Sequence, residues 1–464
     1  MTTTDVLVMG GGFAGLAAAT ALAAEGRRVT VLEKRPQLGG RAYSYTDATT
    51  GEVIDNGQHA MMGCYTEMFR FLDRIGASGK LSIQPGLRVD MLDPDRGPGV
   101  ISCPSLPNPL HMGAGVLGYR LLSVGDRARV LTGGLRLLLM KRLRDPRLAT
   151  LTVDGALDLL GQTTAARRAF WYPVAIATLN DDPAIASADL LAEVMVRAFF
   201  AGKDAARFVL SKVGLSDLYT TDARRFIEAR GGRIETKAHV VGDGFRSDDV
   251  SHLELRDGRR LSAAAYVSAV PPQGLFPLLP VAVRRSVPML GGIEALTSSP
   301  IVSVHVWFDR AVLAERPFVG FVGTGTHWAF NRDVIAGRHD RDGGYLSFVI
   351  SGARAIVDDD NDAIVARTLA DLHRLVPASA AARVRHTQVV KEKFATMSPS
   401  VAAARLRPPT VTPFDNFVLA GDWIDTGLPA TIESAVMSGH RAAEVVTARL
   451  AALGSRGRET RAAS

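Results

Sequence analysis

The chain has 464 residues, 47% apolar and 22% charged, which excludes a disordered segment or a polytopic membrane protein and leaves room for two to three domains. Its two cysteines, Cys64 and Cys103, exclude a disulfide framework or a four-ligand zinc site, so no metal centre is expected and a reducing cytoplasm is the natural compartment. A net charge of +7 suits an anionic membrane surface or nucleic acid, but no nucleic-acid reading motif is present and no such partner is expected.

Residues 6–9 form a short apolar run of buried-strand type, residues 13–25 an Ala-rich helix with Gly26 as its C-cap, and residues 28–32 a second strand. Together they make one βαβ unit. The apolar stretch 6–24 lacks a basic flank and is broken by Gly10, Gly11, Gly12 and Gly15, so it reads as neither signal peptide nor membrane span. Residues 104–211 turn largely helical, with a basic stretch over 120–147. Strand signals return at 234–241, 250–255 and 266–270, the last ending in Pro271 and Pro272. Strands at 301–308 and 345–350 beside a helix at 362–375 predict a mixed sheet. A strand at 417–420, a turn at 421–429 and a helix at 430–450 repeat the grammar of the N-terminus.

The pattern predicts an α/β protein with a discontinuous Rossmann-type dinucleotide domain at 1–85, 216–290 and 405–450. A substrate-binding sheet domain at 86–103 and 291–404, a helical subdomain at 104–215 and a disordered tail at 451–464 complete it.

Gly10, Gly12 and Gly15 form GxGxxG directly after a strand and at the opening of a helix. The first glycine permits the turn, the second lets backbone approach a diphosphate, and the third lets helix and strand pack closely. Phe13 and Ala14 open that helix, whose positive end faces the diphosphate. Glu33, about twenty residues on, is placed to accept from a ribose diol and disfavours a 2′-phosphate. Lys34, Arg35, Gly39, Gly40 and Arg41 add glycines and cations beside the same diphosphate, which favours FAD over NAD. Val240 is either a strand residue whose backbone meets the adenine or an ordinary core valine. Near the other end, Asp422 after Gly421 is placed to accept from ribityl or ribose hydroxyls. The helix start at Pro429, Ala430 and Thr431 offers N–H groups to the flavin edge that becomes anionic on reduction.

These residues carry a resemblance. The chain resembles the flavin amine oxidase and phytoene desaturase superfamily over nearly its whole length, and within it the hydroxysqualene dehydroxylase family. The carriers are GGGFAGLAAA from Gly10, LEKRPQLGGRA from Leu32, IDNGQH from Ile54, WYPVAIATLN from Trp171, SAVPP from Ser268 and LAGDWIDTGLPATIESAV from Leu419. Ile424, Ser434 and His327 depart from the family pattern. The resemblance adds Gly57 and Gln58 to the cofactor set. It implies a long apolar isoprenoid substrate, a C30 allylic alcohol whose hydroxyl is replaced by hydrogen from reduced FAD to give squalene.

An acid must help the hydroxide leave. His59 is the first choice, with Asp55 and Asp425 the other polar residues the motifs bring near the flavin. A histidine that only hydrogen-bonds backbone or flavin is the competing reading for His59, as a turn or cap role is for Asp55. Trp171 and Trp328 either line the tunnel or pack in the core. Gly323 and Gly325 imitate GxG, but Trp328 takes the third glycine position, so electrons must come from an external donor rather than a second nucleotide domain. The mixed leucine and arginine stretch 131–148 suits peripheral contact with the inner face of an anionic membrane; packing of its leucines on the core is the alternative. Rival activities are a phytoene-type desaturase, an amine oxidase and a non-catalytic prenyl-binding escort.

Overall fold

The computed structural model describes residues 4–338 and 342–462. Five parallel strands form the nucleotide sheet, in the order Arg233–Thr236, Val29–Glu33, Val6–Met9, Ala265–Ser268, Phe417–Leu419. The central strand Val6–Met9 is apolar throughout because both faces are covered. Val6 and Val8 pack with the helices, whereas Leu7 and Met9 pack against the antiparallel strands Val240–Phe245 and Val250–Leu255. Helix Phe13–Ala24 lies against the C-terminal helix Ile432–Ala462 so closely that a Cβ on Gly439 would fall 2.3 Å from the Ala14 carbonyl oxygen. The first and last segments of the chain are thereby locked side by side.

A seven-stranded mixed sheet follows the order Val384–Met397, Ser298–Phe308, Gly344–Ser351, Trp328–Asn331, Phe318–Phe321, Arg88–Asp93, Gly97–Ser102. On one face Val302, Val304, Val306, Leu346 and Phe348 pack under helix Asn361–Leu375. The other face is covered by the hairpin of Ser44–Thr46 and Val53–Asp55. Between residues 110 and 199 lie helices Leu110–Gly118, Val124–Arg142, Val153–Leu159, Tyr172–Leu179 and Ala188–Val194. Two single π-helical turns, Arg167–Trp171 and Met195–Phe199, interrupt them.

Two expectations need correction. The strand expected at 234–241 is two strands, because Lys237 takes φ +58° and turns the chain out of the parallel sheet after Thr236. The tail expected to be disordered from 451 continues the last helix to Ala462. It is rich in Ala and Arg and holds no proline, and its glycines each cost only about 1 kcal/mol, too little to stop a helix already nucleated. Residues 463–464 lie outside the described residues.

Candidate active site

A cavity of about 690 Å³ runs from the nucleotide sheet to the helical subdomain. Its first end is built from backbone. Gly10 (φ +101°) and Gly40 (φ +57°) hold left-handed conformations that glycine adopts without steric cost. Gly12 ends the turn as N-cap of helix Phe13–Ala24 and carries no side-chain cap, so the first-turn N–H groups face the cavity unshielded. A Cβ on Gly12 would approach the Gly40 Cα at 3.5 Å, across the groove between the two glycine loops. Gly15 lies behind the groove, where a Cβ would meet the Gly10 carbonyl oxygen at 1.9 Å. Glycine at 15 therefore serves helix–strand contact and glycine at 12 keeps the groove open.

The Glu33 carboxylate is buried and accepts from the backbone N–H groups of Gly11 (2.8 Å) and Arg35 (2.9 Å), which fixes it at the mouth of the turn. Lys34, Arg35 and Val240 line the same end. Arg35 donates to the Gly40 carbonyl at 2.9 Å and so braces the second glycine loop. Tyr219 braces it from below, donating to the carbonyls of Gly39 and Ala42 while its ring stacks on Phe13 at 3.7 Å. Arg41 forms an ion pair with Asp422 and donates to the Ala395 carbonyl at 3.2 Å, joining the N-terminal and C-terminal walls of the cavity.

The C-terminal wall is the loop from Gly421 (φ +139°) through Pro429, Ala430 and Thr431 to helix Ile432–Ala462. Arg407, buried to 7% exposure, holds it from outside by donating to the carbonyls of Asp422 (2.9 Å), Trp423 (3.4 Å), Ile424 and Leu428. Ser434 bonds to Thr426 at 2.7 Å and Ser438 accepts the Gly421 N–H at 2.7 Å. Ser434, a departure from the family pattern, thus tightens the same loop.

Gly57, Gln58 and His59 reach the cavity from the loop after the hairpin. His59 Nδ1 donates to the Gly57 carbonyl at 2.8 Å. Burial lowers its pKa, against opposing pulls from that carbonyl, Asp55 and Glu392, which favours the neutral ring, and with the proton on Nδ1 that ring offers Nε2 as an acceptor. This arrangement opposes the expected role of His59 as the acid. Asp55 and Asp425 do not reach the cavity at all. Asp55 is buried beneath the loop, accepting from Ser44 Oγ and Leu215 N–H (each 2.8 Å) and facing Arg332 at 3.6 Å. Asp425 is exposed, and its carboxylate accepts the Gly427 N–H at 3.1 Å as in an Asx turn. Asp55 is held by partners distant along the chain and Asp425 by its own turn.

The far half of the cavity is apolar, with Leu87, Met91, Met112, Phe170, Phe208 and Phe330 among its walls. Trp328 joins them, whereas Trp171 is fully buried and donates to Gln162 Oε1 at 2.7 Å, a core residue. Both π-helical turns contribute to this wall through Phe170 and Phe199. Sequence reasoning missed Asn56 and Glu392, which meet at 2.9 Å on the cavity wall, and the bracing pair Tyr219 and Arg407. Only proximity in the fold singles these out. Among the described residues no cluster of His, Cys, Asp and Glu could hold a metal ion.

A glycine groove with an unshielded helix start at one end, and a looser backbone wall at the other, is the shape an adenine dinucleotide needs. Residues 13–447 match the family model for flavin-containing amine oxidoreductases. The chain belongs to this family. FAD is its cofactor, and it is an FAD-dependent oxidoreductase. The chain is 32% identical to the hydroxysqualene dehydroxylase of Rhodopseudomonas palustris, covering 96% of this chain and 98% of the relative. It is 28% identical to the corresponding protein of Sinorhizobium fredii over 95% and 98% of the two chains. The 15-cis-phytoene desaturase of Synechococcus elongatus stands further off, at 23% over 96% of each chain. Among solved structures, putrescine oxidase bound to putrescine superposes with a TM-score of 0.72 at 17% identity, covering 96% and 99% of the two chains. That likeness is one of fold alone.

Proposed function

We propose that this chain removes the hydroxyl of a long isoprenoid allylic alcohol, hydroxysqualene, and replaces it with hydrogen to give squalene. The observation that carries the reading is the two-ended cavity, polar and glycine-lined where FAD binds and apolar beyond it, in a chain collinear with hydroxysqualene dehydroxylases from end to end. When bound and reduced, FAD supplies the hydride for the carbon that loses its hydroxyl.

Glycine backbone at Gly10, Gly12 and Gly40 would hold the diphosphate, Glu33 a ribose, and the loop from Gly421 to Thr431 the flavin end. Leu87, Met91, Phe170 and Phe330 strip water from the substrate chain and hold it extended. His59 offers Nε2 as an acceptor, which orients a hydroxyl without protonating it. The reductant is external.

Substrate of this kind resides in bilayers, and helix Val124–Arg142 fits contact with an anionic leaflet. Val124 (78% exposed), Leu135 (62%), Leu139 and, just beyond the helix, Leu143 share one exposed stripe, with Arg129, Arg136 and Arg142 beside it. Leu137 alone of the leucines in this helix is fully packed inside. No helix among the described residues is long and apolar enough to cross a membrane, so the contact is peripheral.

Product analysis tests the reading. Anaerobic incubation of reduced enzyme with hydroxysqualene is expected to yield squalene; a conjugated product from phytoene with oxidised enzyme, and no squalene from the alcohol, would assign the chain to the desaturases instead.

A further inference from the structure

Sheet faces buried in a protein of this size are apolar, and one face of the mixed sheet obeys that rule through Val302, Val304, Val306, Leu346, Phe348 and Ile350. The opposite face does not. Paired residues share a face, and the register sets Ile301 beside Ser351 and Glu392, Ser303 beside Val349, His305 beside Ser347 and Gln388, and Trp307 beside Tyr345 and His386. The first row, with Val349, lines the cavity. The last row reaches the surface, where Trp307 Nε1 donates to Glu52 at 3.1 Å, Glu52 meets the half-exposed Arg338 at 3.3 Å, and His386 faces Asp47 at 3.4 Å.

Between the two ends Ser303, His305 and Ser347 are each no more than 1% exposed, yet Ser303 Oγ and Ser347 Oγ make no hydrogen bond within the protein; the His305 ring lies near the Asp55 backbone but its Nε2 is left without a hydrogen bond, and Asp55 Oδ2 in the layer above has only its ion pair with Arg332. His305 Nδ1 is engaged with Tyr345 Oη at 2.8 Å. The roof over this row is the loop that carries His59 into the cavity. A Cβ on Gly57 would stand 3.3 Å from Ser303 Oγ, and Arg332 ties Gln58 (2.7 Å) to Asp55. Successive same-face positions on a strand stand about 6.7 Å apart, a gap that one water molecule spans. Clusters of buried polar atoms of this kind are where proteins hold internal water.

The proposed dehydroxylation makes this arrangement consequential. The C–O bond breaks and a C–H bond forms; the hydride comes with the reduced cofactor, but one proton must reach the departing hydroxyl and one water must leave, and neither crosses an apolar wall readily. We propose that the row Ser303, His305 and Ser347 is a water-filled conduit that brings the proton from the rim at Glu52 and Arg338, past the buried Tyr345, to the cavity floor at Gly57 and drains the product water. This rests on the dehydroxylase reading. The groups facing His305 are Tyr345, Ser347 and Gln388 from its own sheet and Arg332, Asp55 and Asp47 from the covering layer. Burial and the Arg332 charge keep its imidazole neutral, which leaves it able to pass a proton between Nδ1 and Nε2 without storing one.

The test compares Ser303→Val with the isosteric Ser303→Thr in anaerobically reduced holoenzyme mixed with hydroxysqualene, following flavin reoxidation in H2O and D2O. The conduit predicts reoxidation at least tenfold slower in Ser303→Val, with a larger solvent isotope effect and unchanged FAD content, and recovery of most of that loss in Ser303→Thr. Equal rates in the two variants would overturn it. A crystal structure of the holoenzyme gives an independent readout. Ordered waters bonded to Ser303 Oγ, His305 Nε2 and Ser347 Oγ are expected, and direct protein contacts satisfying all three would reject the conduit. A wild-type enzyme inert toward the alcohol would overturn the dehydroxylase reading, and the crystallographic result would then decide whether the row is hydrated.

Discussion

Two glycines three residues apart in the nucleotide turn make opposite demands. At Gly15 an added methyl would collide with the Gly10 carbonyl oxygen at 1.9 Å, while at Gly12 it would enter open groove, 3.5 Å from the Gly40 Cα. Gly15→Ala is therefore expected to destabilise the fold by about 3 kcal/mol or more, read as a lowered thermal midpoint. Gly12→Ala is expected to fold normally and lose FAD affinity about tenfold or more, read by flavin titration of the apoprotein. Arg407→Met is expected to lose FAD affinity and also to lower the thermal midpoint, since it leaves four carbonyls of the loop at the flavin end without their donor. His305 contributes a pH dependence. Burial and Arg332 lower its pKa to about 4, against 6.5 for the free residue. Between those values the unfolded chain binds a proton that the native protein refuses, so stability present above about pH 6.5 is lost as the pH falls toward 4, by up to about 3 kcal/mol. Denaturation midpoints from pH 7.5 to 4.5 should show a shallower decline in His305→Gln. The glycines and Glu33 were legible in the sequence because a tight phosphate turn dictates residue type at fixed spacing. Arg407 and Tyr219 were not, because each acts on a loop far from it along the chain.

Helix Val124–Arg142 shows what a pattern of residues leaves open at the level of an element. Its leucines and arginines alternate in a way that suits either a core-packed or a surface helix, and only the fold divides them, with Leu137 inside and Leu135, Leu139 and Leu143 outside. The combined change Leu135→Ser, Leu139→Ser and Leu143→Ser should leave thermal stability unaltered and move the protein from the floating to the non-floating fraction with anionic vesicles. Wild type remaining wholly in the non-floating fraction would contradict the peripheral contact. The strands at the two chain ends were readable from apolar runs bounded by glycine and proline. The break at Lys237 was not, since nothing about a lysine announces a left-handed backbone. Nor was the helical course of 451–462 readable, because glycines at 454 and 457 look like a stop until the helix before them is seen to be long and firmly packed.

For the molecule as a whole, the sheet order sets Phe417–Leu419 one strand away from Val6–Met9, across Ala265–Ser268, and the cavity that both ends of the chain help to close continues into the apolar wall of the helical subdomain. The residues of the sequence motifs, Gly10, Gly12, Glu33, Gly40 and Asp422 among them, line one end of that cavity. The motifs foretold the acid poorly: Asp55 and Asp425 were chosen for nearness along the chain to flavin motifs, and the fold turns both away. The most direct measurement of the central claim is a single-turnover experiment in which the anaerobically reduced holoenzyme is mixed with one equivalent of hydroxysqualene. Recovery of the oxidised flavin absorbance with formation of one squalene per flavin is the predicted result; flavin that stays reduced in the presence of the alcohol would contradict the account.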